Sequence, residues 1–180
     1  GKAAYWLGSR GHHADIGGRT PGSAPPDSTH IEQEGVLIDN VQLVRAGQLC
    51  EDEATKTLSS GKYPCRNIPQ NMADLKAQVA ANETGCRELL RMVANYGQPA
   101  VTAYMAHVQD NAEESVREVI AGLQDGNFLY KMDTGQQVKV AIIVDRKKRS
   151  ACVDFTGTSV QHAGNYNAPY AVSRAVVLYV

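Results

Sequence analysis

No stretch of this sequence is apolar for long enough to span a bilayer. The longest wholly apolar run, Ala175-Val176-Val177-Leu178-Tyr179-Val180, falls far short of the roughly 20 residues a crossing requires. Residues Gly1 to Asp15 lack the pattern of a signal peptide. Cysteine is sparse: Cys50, Cys65, Cys86 and Cys152 are far apart with no CxxC pair, which argues against a zinc knuckle or a disulfide frame and for free thiols in a reducing, cytoplasmic compartment. A dominant charge is missing as well. The 18 Lys and Arg nearly balance 19 Asp and Glu, so no global field favours nucleic acid or an anionic membrane over a small neutral or acidic substrate. The one cluster of bases, Arg146-Lys147-Lys148-Arg149, has neither an aromatic platform nor a second basic patch beside it and reads as a solvated hairpin tip. No Ser-His-Asp triad, P-loop or GxGxxG motif is recognisable, so the chain is not itself equipped to bind ATP.

What is present is one domain's worth of chain, 180 residues with 43% hydrophobic content, enough to own a core. Ala3 to Ser9 is apolar enough to be a strand. It feeds Arg10-Gly11-His12-His13-Ala14-Asp15-Ile16-Gly17-Gly18, and Gly17 to Ser28 then holds Gly, Pro and Ser at a density that dictates an ordered loop. Short strands are expected around Val36-Leu37-Ile38 and Val41 to Val44, a turn at Arg45 to Gln48, a helical patch from Glu51 to Leu58 and a loop from Gly61 to Pro69.

From Asn71 to Tyr96, Met72, Leu75, Val79, Cys86, Leu89, Val93 and Tyr96 recur mostly at three- and four-residue steps, predicting a long amphipathic helix stopped by Gly97. Gly85 should soften its middle. A second helix starts after Pro99 and ends near Asp125-Gly126, making an αα-hairpin. Strands are expected over Phe128 to Met132, Val138 to Asp145 and Ala151 to Phe155, then a Gly- and Asn-rich loop from Gly157 to Pro169, and a last helix from Tyr170. The class is α+β, mixed strands with the long αα-hairpin inserted between them. Both ends read as cut, the first lacking an initiator Met and the last stopping in an apolar run without a cap, so a fragment of a larger catalytic domain is expected.

Several constellations can carry chemistry. In the His-His-Ala-Asp block, imidazole and carboxylate lie within four residues and are followed by glycines that let backbone approach an ion or substrate. Neighbours on an extended chain point oppositely, so His12 and His13 are not expected to grip one ion. The segment supplies at most two ligands of the three or four a divalent metal needs, and a solvated or hydrogen-bonded His pair fits the spacing equally well. Asp74, Gln78 and Asn82 form a stripe along the first long helix, either a row of surface side chains, which composition favours, or a polar seam aimed at a site. On the second helix His107, Asp110, Asn111 and Glu114 share one side, where a metal or a proton shuttle is possible, although a solvated face gives the same pattern. Thr156, Thr158, Asn165 and Asn167 offer neutral donors and acceptors suited to an amide or carboxylate, in a loop where turn formation alone also selects Gly and Asn.

The string from Ser9 to Gly18, with Pro21-Gly22-Ser23 and Pro25-Pro26, resembles the signature of the hydantoinase B/oxoprolinase family. Five further blocks continue the resemblance in matching order: Ile31 to Asn40, Asp74 to Asn82, Tyr104 to Glu114, Asp154 to Thr158 and Gly164 to Pro169. Ala24 stands where the signature leads one to expect Met. The resemblance implies an internal segment, residues 1–180, of one B-type catalytic domain in a cytosolic ATP-dependent cyclic amidohydrolase opening 5-oxo-L-proline to L-glutamate. N-methylhydantoinase and acetone-type carboxylase are the alternatives within the family, and a non-catalytic scaffold or subunit-contact segment the alternative outside it. It further implies a hydantoinase-A-type ATPase domain or subunit that holds ATP and phosphorylates the lactam or imide, an oligomeric assembly, and a divalent zinc or manganese ion. Carried over by position, His12 is the first choice of metal ligand and His13 the second, and Asp15 is a ligand, a base or a partner that orients a ligand. Asp15, His13 and His107 are the candidate catalytic groups of the chain, and Arg10, Asn165 and Asn167 the candidate substrate contacts.

Overall fold

A computed structural model describes residues 3–180, and the chain divides into two compact units. The first comprises the chain through Asn95 together with Ala163–Tyr166; the second comprises Tyr96–His162 and Asn167–Val180.

In the first unit a two-residue antiparallel pair, β1 (Val44–Arg45) and β2 (Gln48–Leu49), closes around Ala46 and Gly47, whose φ values of 50° and 79° make the tight turn expected there. Helix α1 covers Glu51–Leu58, with three acidic residues in its first turn where the helix dipole favours them. Helix α2 spans Ile68–Tyr96, beginning three residues before its apolar period is legible. A small core joins Ala54, Leu58, Cys65, Met72 and Leu75, with Ile16, Val36, Ile38, Leu43 and Ile68 packed against it. The strand expected over Val36 to Ile38 does not form, and of the one expected over Val41 to Val44 only Val44 pairs, in β1; Val36, Ile38 and Leu43 pack on that core from irregular chain rather than in a ladder.

The strand expected over Ala3 to Ser9 does not form either. From Leu7 to Asp15 the chain instead lies lengthwise on α2. Leu7 Cδ2 occupies the space a Cβ on Gly85 would need, at 2.5 Å, so Gly85 makes room for it. Ser9 Oγ donates to the Gln78 carbonyl at 3.3 Å, Gln78 Nε2 would lie 2.8 Å from a Cβ on Gly11, and His13 and the Asp15 carbonyl both meet Asn71. Contacts descend from Gly85 to Asn71 as the chain climbs from Leu7 to Asp15, so the ribbon runs antiparallel to the helix. Eight extended residues span about 26 Å and fourteen helical ones about 21 Å, close enough for the two to stay in step. The odd-numbered residues face α2; Arg10 and His12 are exposed, whereas His13 and Asp15 are half-buried.

In the second unit Gly97, at φ 81°, separates α2 from α3 (Gln98–Gly122), which carries Pro99 in its first turn. An antiparallel sheet follows in the order β3 (Gly126–Lys131), β4 (Gln137–Asp145), β5 (Ser150–Asp154), with Phe128 opposite Val140 and Ile143 opposite Cys152. The basic hairpin tip is tied down: Asp145 Oδ1 accepts from the Lys147 and Lys148 amides, and Arg117 of α3 donates to the Lys148 and Arg149 carbonyls. Thr158 prolongs the pairing of β4 through its side chain, accepting from the Lys139 amide and donating to the Lys139 carbonyl, both at 3.0 Å. Helix α4 covers Tyr170–Tyr179. The α+β class thus holds, with two long helices between the two groups of strands along the chain. Among the described residues no helix is long and apolar enough to cross a membrane, and all four cysteines are free.

Candidate functional site

Just past the end of the ribbon the backbone threads a narrow gap. Residues 16–19 run between chain 33–36 on one side and 63–64 on the other, held by single hydrogen bonds: Gly18 N to Tyr63 O at 3.0 Å, Arg19 N to Gln33 O at 2.8 Å and Val36 N to Ile16 O at 2.9 Å. A Cβ on Gly17 would stand 2.2 Å from the Tyr63 carbonyl oxygen, and one on Gly18 2.7 Å from the Glu34 carbonyl. Both residues have positive φ, 96° and 88°, so these glycines are required by space as well as by backbone angle.

Asp15 organises the loop that follows. Its carboxylate accepts from the Gly17 and Gly22 amides at 2.9 Å each and from Arg66 Nη1 at 2.9 and 3.2 Å. Arg66 also reaches the carbonyls of Gly17, at 2.9 Å, and Gly18. Ser23 Oγ accepts from the Ile16 amide at 2.7 Å and donates to the Gly17 carbonyl at 2.8 Å. Burial pushes the Asp15 carboxyl upward, but the two amides and the Arg66 charge outweigh it and hold the group below the ordinary aspartate value. Both Asp15 oxygens are therefore committed, ionised, to the loop's own shape.

His13 is held against α2, its side chain 12% exposed, with Nδ1 3.2 Å from Asn71 Nδ2 and 3.4 Å from Asp74 Oδ2. Asp74 in turn accepts from Gln70 Nε2 at 2.9 Å. Asn71, Asp74 and Gln78 thus form a polar seam under the signature ribbon. His12 and Arg10, on the opposite side of the ribbon, make no hydrogen bond or ion pair among the described residues. Among the described residues no three His, Cys, Asp or Glu side chains converge as a metal site would require. His12 offers one free imidazole.

Of the remaining candidates, Asn165 is half-buried in the Ala163–Tyr166 stretch that belongs to the first unit, together with the His-His-Ala-Asp block. His107 and Asn167 belong to the second unit. His107 stands edge-on to Tyr104 at 5.7 Å on an exposed helix face, and Glu114 beside it pairs with Arg149. Asn167 closes its own loop, accepting from the His162 amide at 2.8 Å and donating to the His162 carbonyl at 2.9 Å. Arg66 and Asn71 carry no local sequence signal, since their partners lie roughly fifty residues away along the chain.

A glycine-demanding ribbon laid on a polar helix seam, with one imidazole clamped and another free, is the most constrained feature of this α+β chain. The chain belongs to the hydantoinase B/oxoprolinase family, which it matches over residues 1–180. It is 38% identical to the 5-oxoprolinase of Dictyostelium discoideum and 38% identical to 5-oxoprolinase 1 of Arabidopsis thaliana, in each case over 99% of this chain. It spans only 14% and 16% of their lengths. The crystal structure of an ATP-dependent caprolactamase from Pseudomonas jessenii superposes with a TM-score of 0.70 at 26% identity, over 93% of this chain and 29% of that one.

Proposed function

We propose that this chain is part of the hydrolytic domain of an ATP-dependent cyclic amidohydrolase that opens 5-oxo-L-proline to L-glutamate in the cytoplasm. The observation that carries the reading is the ribbon from Arg10 to Gly18: its order and its contacts with α2 leave Arg10 and His12 unpartnered on one side while His13 is clamped on the other. The likeness to 5-oxoprolinases over nearly the whole chain favours this substrate over other cyclic amides, and four free thiols suit a reducing compartment.

In this scheme ATP is held by an A-type ATPase domain or subunit, in keeping with the absence of a nucleotide-binding motif from the sequence. The partner transfers phosphate to the lactam oxygen, which turns a poor electrophile into a good one. Water then adds to the activated ring carbon, the ring C–N bond breaks to free the amine and leave an acyl phosphate, and a second water hydrolyses that anhydride to carboxylate and phosphate. Both units described above belong to one B-type catalytic domain in an oligomeric enzyme. His12 is the one metal ligand contributed from this stretch, the others lying elsewhere in the protein. Arg10 and Asn165, both in the first unit, contact substrate. Asp15 acts by shaping the loop around them.

The test is ATP-dependent release of glutamate from 5-oxoproline by the enzyme that carries this chain, together with its ATPase partner, beside parallel assays with hydantoin, caprolactam, and acetone with bicarbonate. Glutamate formed with stoichiometric phosphate, and abolished in His12→Ala with the fold intact, is expected. Turnover of another substrate alone would overturn the choice of lactam. An unchanged rate and metal content in His12→Ala would instead make this stretch a contact segment.

A further inference from the structure

In the second unit, side chains take over the ladder bonds of β4 where its neighbouring strands run out. Before the start of β3, Asp125 Oδ1 accepts from the Val144 amide at 2.8 Å. Past the end of β5, Thr158 Oγ1 accepts from the Lys139 amide at 3.0 Å and Ser159 Oγ from the Gln137 amide at 2.9 Å. The outer edge of β3 has no such cover. Met132 N donates to Gln136 O at 2.8 Å, in register with the β3–β4 pairs, so the even-numbered residues of β3 bond towards β4, because an antiparallel ladder alternates its bonding direction at every residue. Asn127, Leu129 and Lys131 therefore aim their amides and carbonyls outward, and none of these six groups is hydrogen-bonded among the described residues.

Phe128, Leu129 and Tyr130 form an unbroken apolar run, and successive residues of a strand point to opposite faces. Phe128, 63% exposed, and Tyr130, 59%, thus lie bare on one face of the sheet and Leu129, 46%, on the other. A strand with water on one face alternates apolar and polar residues, whereas one that is apolar on both faces has the pattern of a strand covered on both. Edges that stay open are guarded by proline, a bulge or a central charge; β3 has only Lys131, at its last position. We propose that β3 is an interior strand of a wider sheet, its outer edge paired with a strand of the same polypeptide from outside residues 1–180. Pairing with a second copy would fill the outer row of bonds but cover neither face, whereas the remainder of one polypeptide can bring both a strand and the layers over it. This chain spans 14% and 16% of the two 5-oxoprolinases it matches, so a protein of that kind has ample length for both. The proposal rests on the reading of this chain as a segment of a longer enzyme, and it holds whatever cyclic amide that enzyme opens.

The experiment is hydrogen exchange on the intact enzyme with its ATPase partner, resolved to single amides by fragmenting the peptides that cover residues 124–133. The amides of Asn127, Leu129 and Lys131 should exchange within about tenfold of those of Phe128 and Tyr130, which point at β4. At an open edge they would exchange at least about a hundredfold faster, and the assignment falls. Protection should survive about a hundredfold dilution of the enzyme and removal of any separate ATPase subunit. Loss on dilution would make the occupant a second copy, and loss with the subunit would assign the strand to that subunit; either result overturns the proposal.

Proline supplies a second readout. Leu129→Pro removes an outward amide hydrogen and none of the bonds to β4, and a proline is tolerated where that amide faces water. Leu129→Ala controls for the lost side chain. In an interior strand, Leu129→Pro should raise exchange of the Phe128 and Tyr130 amides at least about tenfold beyond Leu129→Ala. Equal exchange in the two variants would show an open edge and overturn the proposal, and if Leu129→Pro does not fold, the wild-type amides decide. Neither measurement reads turnover, so an enzyme that opens no ring would sink the amidohydrolase reading while the exchange still decides this one.

Discussion

Replacing Gly17 by Ala asks how much of the signature loop depends on one missing methyl group. The added Cβ would stand 2.2 Å from the Tyr63 carbonyl oxygen and 2.7 Å from that of Pro64, both backbone atoms that cannot swing aside. Relief requires the ribbon to separate from residues 63–64, which breaks the Gly18 N to Tyr63 O bond and pulls the Gly17 and Gly18 carbonyls off Arg66. The neutral bond contributes about 1 kcal/mol and the bonds to the guanidinium about 1 to 2 kcal/mol together after partial re-solvation. Holding a non-glycine residue at φ 96° adds about 1 to 2 kcal/mol. The sum is about 4 kcal/mol. Gly22 supplies the control, since it also has positive φ, 81°, but nothing lies within 4 Å of its Cβ position, so Gly22→Ala should cost only the backbone component, about 1 kcal/mol. The difference, about 3 kcal/mol, is roughly a hundredfold in the local opening equilibrium. Hydrogen exchange read by mass spectrometry on peptides covering residues 9–23 measures that opening directly. Equal loss of protection in the two variants would show that backbone angle alone, and not close approach, selects these glycines.

Arg66→Lys should fail to substitute, because an ammonium cannot span the Asp15 carboxylate and two carbonyls as the guanidinium fork does; exchange of residues 15–22 should rise almost as far as in Arg66→Ala, by about 2 kcal/mol of opening. Asp15 is held below its ordinary value in the folded state, so its contribution to stability is complete above about pH 4, the unfolded value, and is lost as pH falls through the native value. The gap in melting temperature between wild type and Asp15→Asn should accordingly shrink from pH 5 towards pH 3, and a constant gap would refute the assignment. In the second unit, Thr158→Val should lower protection of the Lys139 amide by about 1 kcal/mol, since that variant keeps the shape and removes both hydroxyl bonds.

The elements that the sequence announces are those whose signals are local. Glu51–Leu58, the two long helices and the three strands of the second unit emerge from periodicity and from turn residues such as Asp133-Thr134-Gly135, all within a dozen positions of the structure they specify. Ala3 to Ser9 has the same apolar content as a strand, yet which surface it lies on is decided by Gln78 and Gly85, some seventy residues away. A helix offers a side-chain groove where a sheet would offer a ladder, and composition cannot tell the two apart. Asn71 is masked by a shift of three residues in the helix start. A helix read as starting at Asn71 makes that residue a terminal polar group, whereas the helix starts at Ile68 and carries Asn71 beside buried Met72 and Leu75. With that start, Asn71, Asp74 and Gln78 fall at i, i+3 and i+7 on one face, and the seam could have been read from its first member.

The same geometry explains why the signature is spelled with glycines around two histidines. Gly11 lies where the ribbon meets Gln78, Gly17 where it meets the backbone at 63–64, and Gly18 where it meets that at 33–34. These residues encode a path, not a reaction, and the Asp15–Arg66 clasp fixes the loop that follows. A ribbon pinned on its inner face at His13 and Asp15 has its outer residues determined by the two-residue period of extended chain. Arg10 and His12 must then point the other way whatever their chemistry, which makes their freedom a consequence of the path. A one-residue insertion between Gly11 and His13 would therefore exchange the roles of inner and outer positions along the stretch before it, and should abolish activity while leaving α2 and its core intact.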